Sequence, residues 1–217
     1  MPASPPSPAI DAVIFDLGRV IVDWDPRHLL AEIVPDELAL ATLVEEVLDL
    51  DWFRAVDAGY PLADAIATRA RLYPEHAEAL QAYVDRWPET IRGTFDDTVA
   101  IVQELRRAGF RMYVLSNWAA ETWARVSDGF AFLRHFDDVV ISAHVGLAKP
   151  DPRIFELARD RFSVAPDRTL FIDDSAANVV AARGVGFQVA RFETAARLRR
   201  DLIDLGLPVR PSPPAAG

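Results

Sequence analysis

The feature that most restricts the fold of this chain is an alternation. Short apolar runs at 12–15, 111–115, 139–141, 170–172 and 187–190 are separated by segments of helical periodicity. Runs this short and this apolar have the pattern of strands buried on both faces. The segment 95–107 carries Val99, Val102 and Leu105 at helical spacing and is followed by Gly109, as a helix is at its C′ position. Asp151 and Pro152 read as the N-cap and first residue of a helix continuing through Ile154, Phe155 and Leu157. A third helix follows Asp174 through Val179 and Val180 to Gly184. Strands that alternate with helices of this length specify an α/β fold with a parallel sheet covered on both faces.

From about Trp24 to Trp87 the alternation stops. Helical pattern fills 29–33, 36–50, 61–72 and 75–87, and no strand is evident. This reads as a small all-helical cap inserted after the first strand, and a small unit beside a parallel sheet is a common way to cover a site. Half of the 16 prolines fall at the two ends (Pro2, Pro5, Pro6, Pro8, Pro208, Pro211, Pro213, Pro214). The expected organisation is therefore a core of 10–22 and 90–207, a cap of 23–89, and disordered tails at 1–9 and 208–217.

Composition narrows the function. With 217 residues, 51% of them hydrophobic and 26% charged, the chain suits one globular domain or a core with a modest insertion. No apolar run approaches the roughly 18–20 residues of a membrane span. The first nine residues lack the basic and apolar regions of a secretory signal, so a cytoplasmic setting is expected. The absence of Cys excludes disulfides, thiolate catalysis and Cys-ligated metal sites. A net charge of −10 disfavours nucleic acid, which leaves a small molecule as the expected partner. Of the 23 basic residues 22 are Arg, and only Lys149 is Lys. Lys and Arg differ most where a compact ammonium must fit, so the exception marks Lys149 for a role.

Ligands bind parallel sheets outside the carboxyl ends of the strands. The first strand ends in Asp16, the next in Ser116-Asn117, and another in Asp173-Asp174, while Lys149 follows the run 139–141. Any one of these has an ordinary explanation as a cap or turn residue. Together they bring three carboxylates, a hydroxyl and a lone ammonium to one rim.

These residues also carry a resemblance. Val13-Ile14-Phe15-Asp16-Leu17-Gly18, Val114-Leu115-Ser116-Asn117, Lys149-Pro150-Asp151-Pro152 and Phe171-Ile172-Asp173-Asp174-Ser175 resemble the four motifs of the haloacid dehalogenase (HAD) superfamily, in order and at its spacing. The resemblance implies a three-layer Rossmann-like core with a helical cap of the superfamily's first class. It implies a phosphatase in which Asp16 attacks phosphorus and forms an aspartyl-phosphate. Mg²⁺ would be held by Asp16, Asp174 and the backbone carbonyl of Gly18, with Asp173 either a further ligand or the group that orients Lys149. Ser116, Asn117 and Lys149 would hold the phosphoryl oxygens.

One position departs from the pattern. The superfamily's phosphatases usually carry a general acid two residues after the nucleophile, and here that residue is Gly18. The stretch from Asp16 to Asp23 resembles a branch that includes bacterial sugar-1-phosphate phosphatases, which makes sugar 1-phosphates candidate substrates. Without the acid, leaving groups that need little protonation should be favoured. Arg19 and Trp118 are candidate substrate contacts, the first also readable as an exposed loop residue and the second as a packing residue. Two other readings stand beside the phosphatase. In a 2-haloacid dehalogenase the same Asp attacks carbon without a metal, which would leave Asp173-Asp174 as uncompensated negative charge. In a non-catalytic binding protein of this fold, nothing would require a nucleophile and its metal site.

Overall fold

The structure, a computed structural model, describes residues 9–211. Its strands and helices in chain order are β1 (Ala12–Phe15), β2 (Val22–Trp24), α1 (Arg27–Ile33), α2 (Glu37–Thr42), α3 (Leu50–Asp57), α4 (Leu62–Leu72), α5 (Ala77–Asp85), β3 (Ile91–Thr94) and α6 (Asp96–Arg107). After these come β4 (Arg111–Ser116), α7 (Ala120–Val126), β5 (Asp138–Ile141), α8 (Ser142–Val145), α9 (Pro152–Phe162), β6 (Thr169–Asp173), α10 (Ala176–Val185), β7 (Gln188–Arg191) and α11 (Ala195–Asp204).

Five strands form one parallel sheet in the order β5-β4-β1-β6-β7. The α/β expectation holds. The central strands β1 and β6 are buried at every residue, which is why they read as unbroken apolar runs rather than alternating ones. Successive side chains still point to opposite faces. Val13 and Phe15 join the cluster under α6 and α11, whereas Ala12 and Ile14 join the one under α9 and α10. The cap residues Leu43, Val47, Trp52, Leu80 and Tyr83 belong to the first cluster, so cap and core share one continuous apolar interior.

Local signals account for the helix ends. The Asp151 carboxylate accepts from the Arg153 amide and Pro152 opens α9, as the sequence leads one to expect. Gly109 follows α6 with φ +89°, a conformation that favours glycine. The helix read as ending at Gly184 instead continues to Val185, because Gly186, at φ +104°, is the residue that takes the left-handed turn.

The cap differs from its expected form in three places. The segment 36–50 is not one helix: α2 passes into a π-helical turn at Leu43–Val47, and Asp49 then caps a separate helix, α3. That helix was not expected. An antiparallel ribbon of β2 and β3 joins the cap to the core, where the sequence shows no strand. At the other end, residues 208–211, expected to belong to a disordered tail, lie against the core. Val209 is buried, and the Arg210 amide donates to Glu104 at 2.8 Å. The remaining tail assignments, 1–8 and 212–217, lie outside the described residues.

Candidate active site

The topology gathers the chemistry. β1 is central, with β4 and β6 on its two sides, so chain connections leave in opposite directions from its carboxyl end and open a crevice there. Phe15 pairs with Val114 and with Ile172. Asp16, one residue further, therefore lies between the ends of β4 and β6.

Asp16 is buried, and its two oxygens are unequally engaged. Oδ1 accepts from the Leu17 amide at 2.7 Å and the Ser116 hydroxyl at 2.8 Å, and lies 3.0 Å from Lys149 Nζ. No protein donor is within hydrogen-bond reach of Oδ2 among the described residues. Burial pushes the Asp16 carboxyl up to about 7, with Lys149 opposing the rise and Asp173 and Asp174 adding to it.

Lys149 is fully buried and its ammonium is saturated. Nζ donates to Asp173 Oδ2 at 2.7 Å and to the Leu115 carbonyl at 2.9 Å, besides facing Asp16. Burial alone would lower its pKa, but the carboxylates of Asp16 and Asp173 outweigh that and raise it. The Lys149 backbone is clamped as well. The Asn117 side chain donates to its carbonyl at 2.9 Å and accepts from its amide at 2.8 Å.

The two carboxylates at the end of β6 differ. Asp173 takes Lys149 and Asn178 on Oδ2, and the Ser175 amide and Asn178 on Oδ1, so both oxygens already hold donors. Asp174 is half-buried and carries no such set. Burial and the neighbouring Asp173 raise its pKa, with Arg19 and Lys149 opposing. Asp16, Asp173 and Asp174 each offer a ligand oxygen, all within 4.8 Å of one another. Three carboxylates against one ammonium leave excess negative charge, which fits a hard divalent cation that prefers oxygen ligands.

A cavity of about 650 Å³ opens from this cluster under the cap. Its walls include Trp24, Trp52, Phe53, Tyr83, Trp87 and Trp118. The indole N–H groups of Trp24, Trp52 and Trp118 are buried and find no acceptor among the described residues. Trp118 packs against Trp87, Trp123 and Phe130 and also lines the cavity. Arg19 lines the cavity from an exposed position at φ +60°, over the Trp24 ring and 3.6 Å from Asp25.

Two residues of the site were not anticipated. Asn178 lies on the first turns of α10, five residues beyond the Asp173 it binds, a spacing that brings it back over the end of β6. Asp57, the last residue of α3, lines the cavity from the cap. Its sequence signal was an acidic residue two positions before Gly59, at a helix end where a basic one is favoured.

A helix-covered parallel sheet with a buried carboxylate, hydroxyl and ammonium at its strand ends has the layout of a capped hydrolytic enzyme of the α/β class. Residues 10–186 match the haloacid dehalogenase-like hydrolases, and the chain belongs to that family. Its relatives differ in chemistry. The D-ribitol-5-phosphate phosphatase of Bacteroides thetaiotaomicron is 27% identical over 89% of this chain and 97% of its own length. The (S)-2-haloacid dehalogenase 2 of a Pseudomonas species is 36% identical over 83% of this chain and 82% of its own. The mouse acyl-CoA dehydrogenase family member 10 matches at 29% over 91% of this chain, which spans only 19% of that protein. Among solved structures, a HAD family enzyme from B. thetaiotaomicron in complex with magnesium and inorganic phosphate shares the fold. The TM-score is 0.66, with 21% identity over 85% of this chain and 95% of that one.

Proposed function

We propose that this chain is a magnesium-dependent phosphatase of small phosphorylated metabolites, acting through an aspartyl-phosphate on Asp16. The observation that carries the reading is the charge balance at the strand ends, three clustered carboxylates with a single buried ammonium. Such a site attracts a cation and, through it, a phosphate. Mg²⁺ held by Asp16 and Asp174, with the Gly18 carbonyl as a further ligand, would neutralise charge between the carboxylate nucleophile and the substrate phosphate. Asp173 has both oxygens committed to donors and serves to orient Lys149.

Oδ2 of Asp16, free of protein donors, is the oxygen open to phosphorus. Its attack breaks the ester P–O bond and releases the alcohol, whose oxygen takes up a proton. Water then attacks the phosphorus of the aspartyl-phosphate, which releases inorganic phosphate and restores the carboxylate. Ser116 and the Asn117 backbone would steady the phosphoryl oxygens through both steps, and the positive charge of Lys149, held against Asp16, would offset theirs. The tryptophan walls, with Arg19 at the rim, suit a substrate body that has an apolar face and acceptor oxygens for the unpartnered indole donors. Sugar 1-phosphates meet that description.

The second reading, a 2-haloacid dehalogenase, is favoured by the 36% identity to the Pseudomonas enzyme. One assay separates the two. A panel of phosphorylated metabolites is tested with and without Mg²⁺, with chloroacetate, fluoroacetate and 2-chloropropionate alongside. Metal-dependent phosphate release is the expected result. Halide release without metal, and no phosphate release, would replace the phosphatase by the dehalogenase.

A further inference from the structure

We infer that Asp57, reaching down from the cap, is the proton-transfer group of this site, in place of the acid that Gly18 lacks. The inference rests on the phosphatase reading and concerns how its leaving group is protonated.

Elimination among the cavity's ionisable groups points to Asp57. Asp16 and Asp174 are committed to phosphorus and metal. Lys149 has all three protons directed at Asp16, Asp173 and the Leu115 carbonyl. Asp49 caps α3 through the Trp52 amide and pairs with Arg69, which together hold its carboxyl below the ordinary value despite partial burial. Glu45 is an exposed partner of Arg27. The Tyr83 hydroxyl is buried, accepts from the Trp87 indole, and is driven far above neutrality by burial. Arginines do not give up protons, and no histidine lines the cavity. Asp57 remains.

Its placement is firm and works against the helix rather than for it. The end of α3 is closed by the Ala58, Gly59 and Tyr60 amides, which donate to the carbonyls of Arg54, Val56 and Ala55 at 2.9, 2.9 and 3.0 Å. Gly59 takes φ +99°, and a Cβ there would sit 3.4 Å from the Ala143 carbonyl of α8. The helix end is thus seated on the core beside the end of β5. A carboxylate at a helix C-terminus faces the negative end of the dipole, and no cation or donor pairs with this one among the described residues. The charged groups facing it are Asp16 and Lys149 across the cavity, with the neutral Tyr83 phenol beside it. Burial, reinforced by Asp16 and opposed by Lys149, pushes its carboxyl up to about 7. A group that titrates there can both give and take a proton near neutral pH.

The proton balance closes. Protonated Asp57 gives its proton to the ester oxygen as the P–O bond breaks, so that the product leaves as an alcohol. The resulting carboxylate takes a proton from the water that attacks the aspartyl-phosphate, and returns to its acid form. The preference for activated leaving groups expected from Gly18 is then absent in the native protein.

The test is a leaving-group series, from aryl to alkyl phosphates, on the wild type, Asp57→Asn, Gly18→Asp and the double variant. Gly18 has room for the change: its φ is not left-handed, and an added Cβ would meet only the Trp24 ring at 4.0 Å. Asp57→Asn should lose about 10²-fold or more on alkyl phosphates. On aryl phosphates it should keep a fast first turnover followed by slow release of phosphate. Adding Gly18→Asp should restore alkyl turnover, an outcome that a merely structural role for Asp57 does not produce. Gly18→Asp alone is the reference against which recovery in the double variant is read. Circular dichroism checks that each variant is folded. Unchanged rates and slopes in Asp57→Asn, a loss confined to KM, or a double variant that fails to regain alkyl turnover overturns the inference. A wild type that releases no phosphate from any ester removes the phosphatase reading, and the inference with it.

Discussion

At the scale of single residues, the site is a set of donors and acceptors with few left over. Asp16→Asn should abolish phosphate release while keeping the fold, since the amide is isosteric and the proposed nucleophile is lost. Activity near wild type in that variant would place the reaction elsewhere. Lys149 gives a sharper expectation. Its ammonium meets acceptors at 2.7, 2.9 and 3.0 Å with no exposed surface, an arrangement a tetrahedral donor satisfies and a longer planar guanidinium does not. Lys149→Arg should therefore be nearly as inactive as Lys149→Ala in the same assay; substantial activity in the Arg form would mean that only the positive charge matters. The composition had already singled this residue out. Its partners were less readable, because Asn117 and Asn178 act through hydrogen bonds between loops and strand ends that no local spacing encodes.

At the scale of elements, legibility followed burial. β1, β4 and β6 were readable because central strands must be apolar throughout, and α6 and α9 because capping residues mark their ends. β2 and β3 were not, since a two-stranded ribbon of short, partly exposed strands carries neither an apolar run nor a clean alternation. α3 was hidden because the π-helical turn before it continues the helical periodicity of α2. The missed helix holds the missed carboxylate. Helix α11, by contrast, offers a test of electrostatics away from the site. Glu104 of α6 makes paired bonds to Arg199 of α11 at 2.9 and 3.1 Å and also accepts the Arg210 amide. Burial opposes, but these donors win and hold the Glu104 carboxyl below its ordinary value of 4.5. A depressed folded-state pKa stabilises above the unfolded value, and the benefit is lost as pH falls through the folded one. Glu104→Gln should thus cost about 1–3 kcal/mol near pH 7, and the gap from wild type should narrow steadily below pH 4.5. Urea titrations at several pH values read this directly; a gap independent of pH would assign the effect to packing.

At the scale of the whole molecule, the carboxylate cluster makes stability a readout of cation binding. Asp16 and Asp174 both have raised pKa values, chiefly through burial, so the folded chain carries charge that a bound cation relieves. Saturating Mg²⁺, at a hundred times its dissociation constant, should add about 2.7 kcal/mol. For a domain of this size that raises Tm by roughly 5–10 °C. Asp174→Ala should lose most of that shift in differential scanning fluorimetry, and a full shift in the variant would move the ligand elsewhere.

The solitary buried lysine has one more consequence, for reagents rather than substrates. A chain whose only ε-amine is sealed inside presents no lysine to solvent. Amine-directed acylating agents and crosslinkers should mark the native protein only at its amino terminus. A second label, on Lys149, should appear in the mass spectrum only when the site opens or the core unfolds, so that ordinary succinimide chemistry becomes a clock for the opening of one interior position.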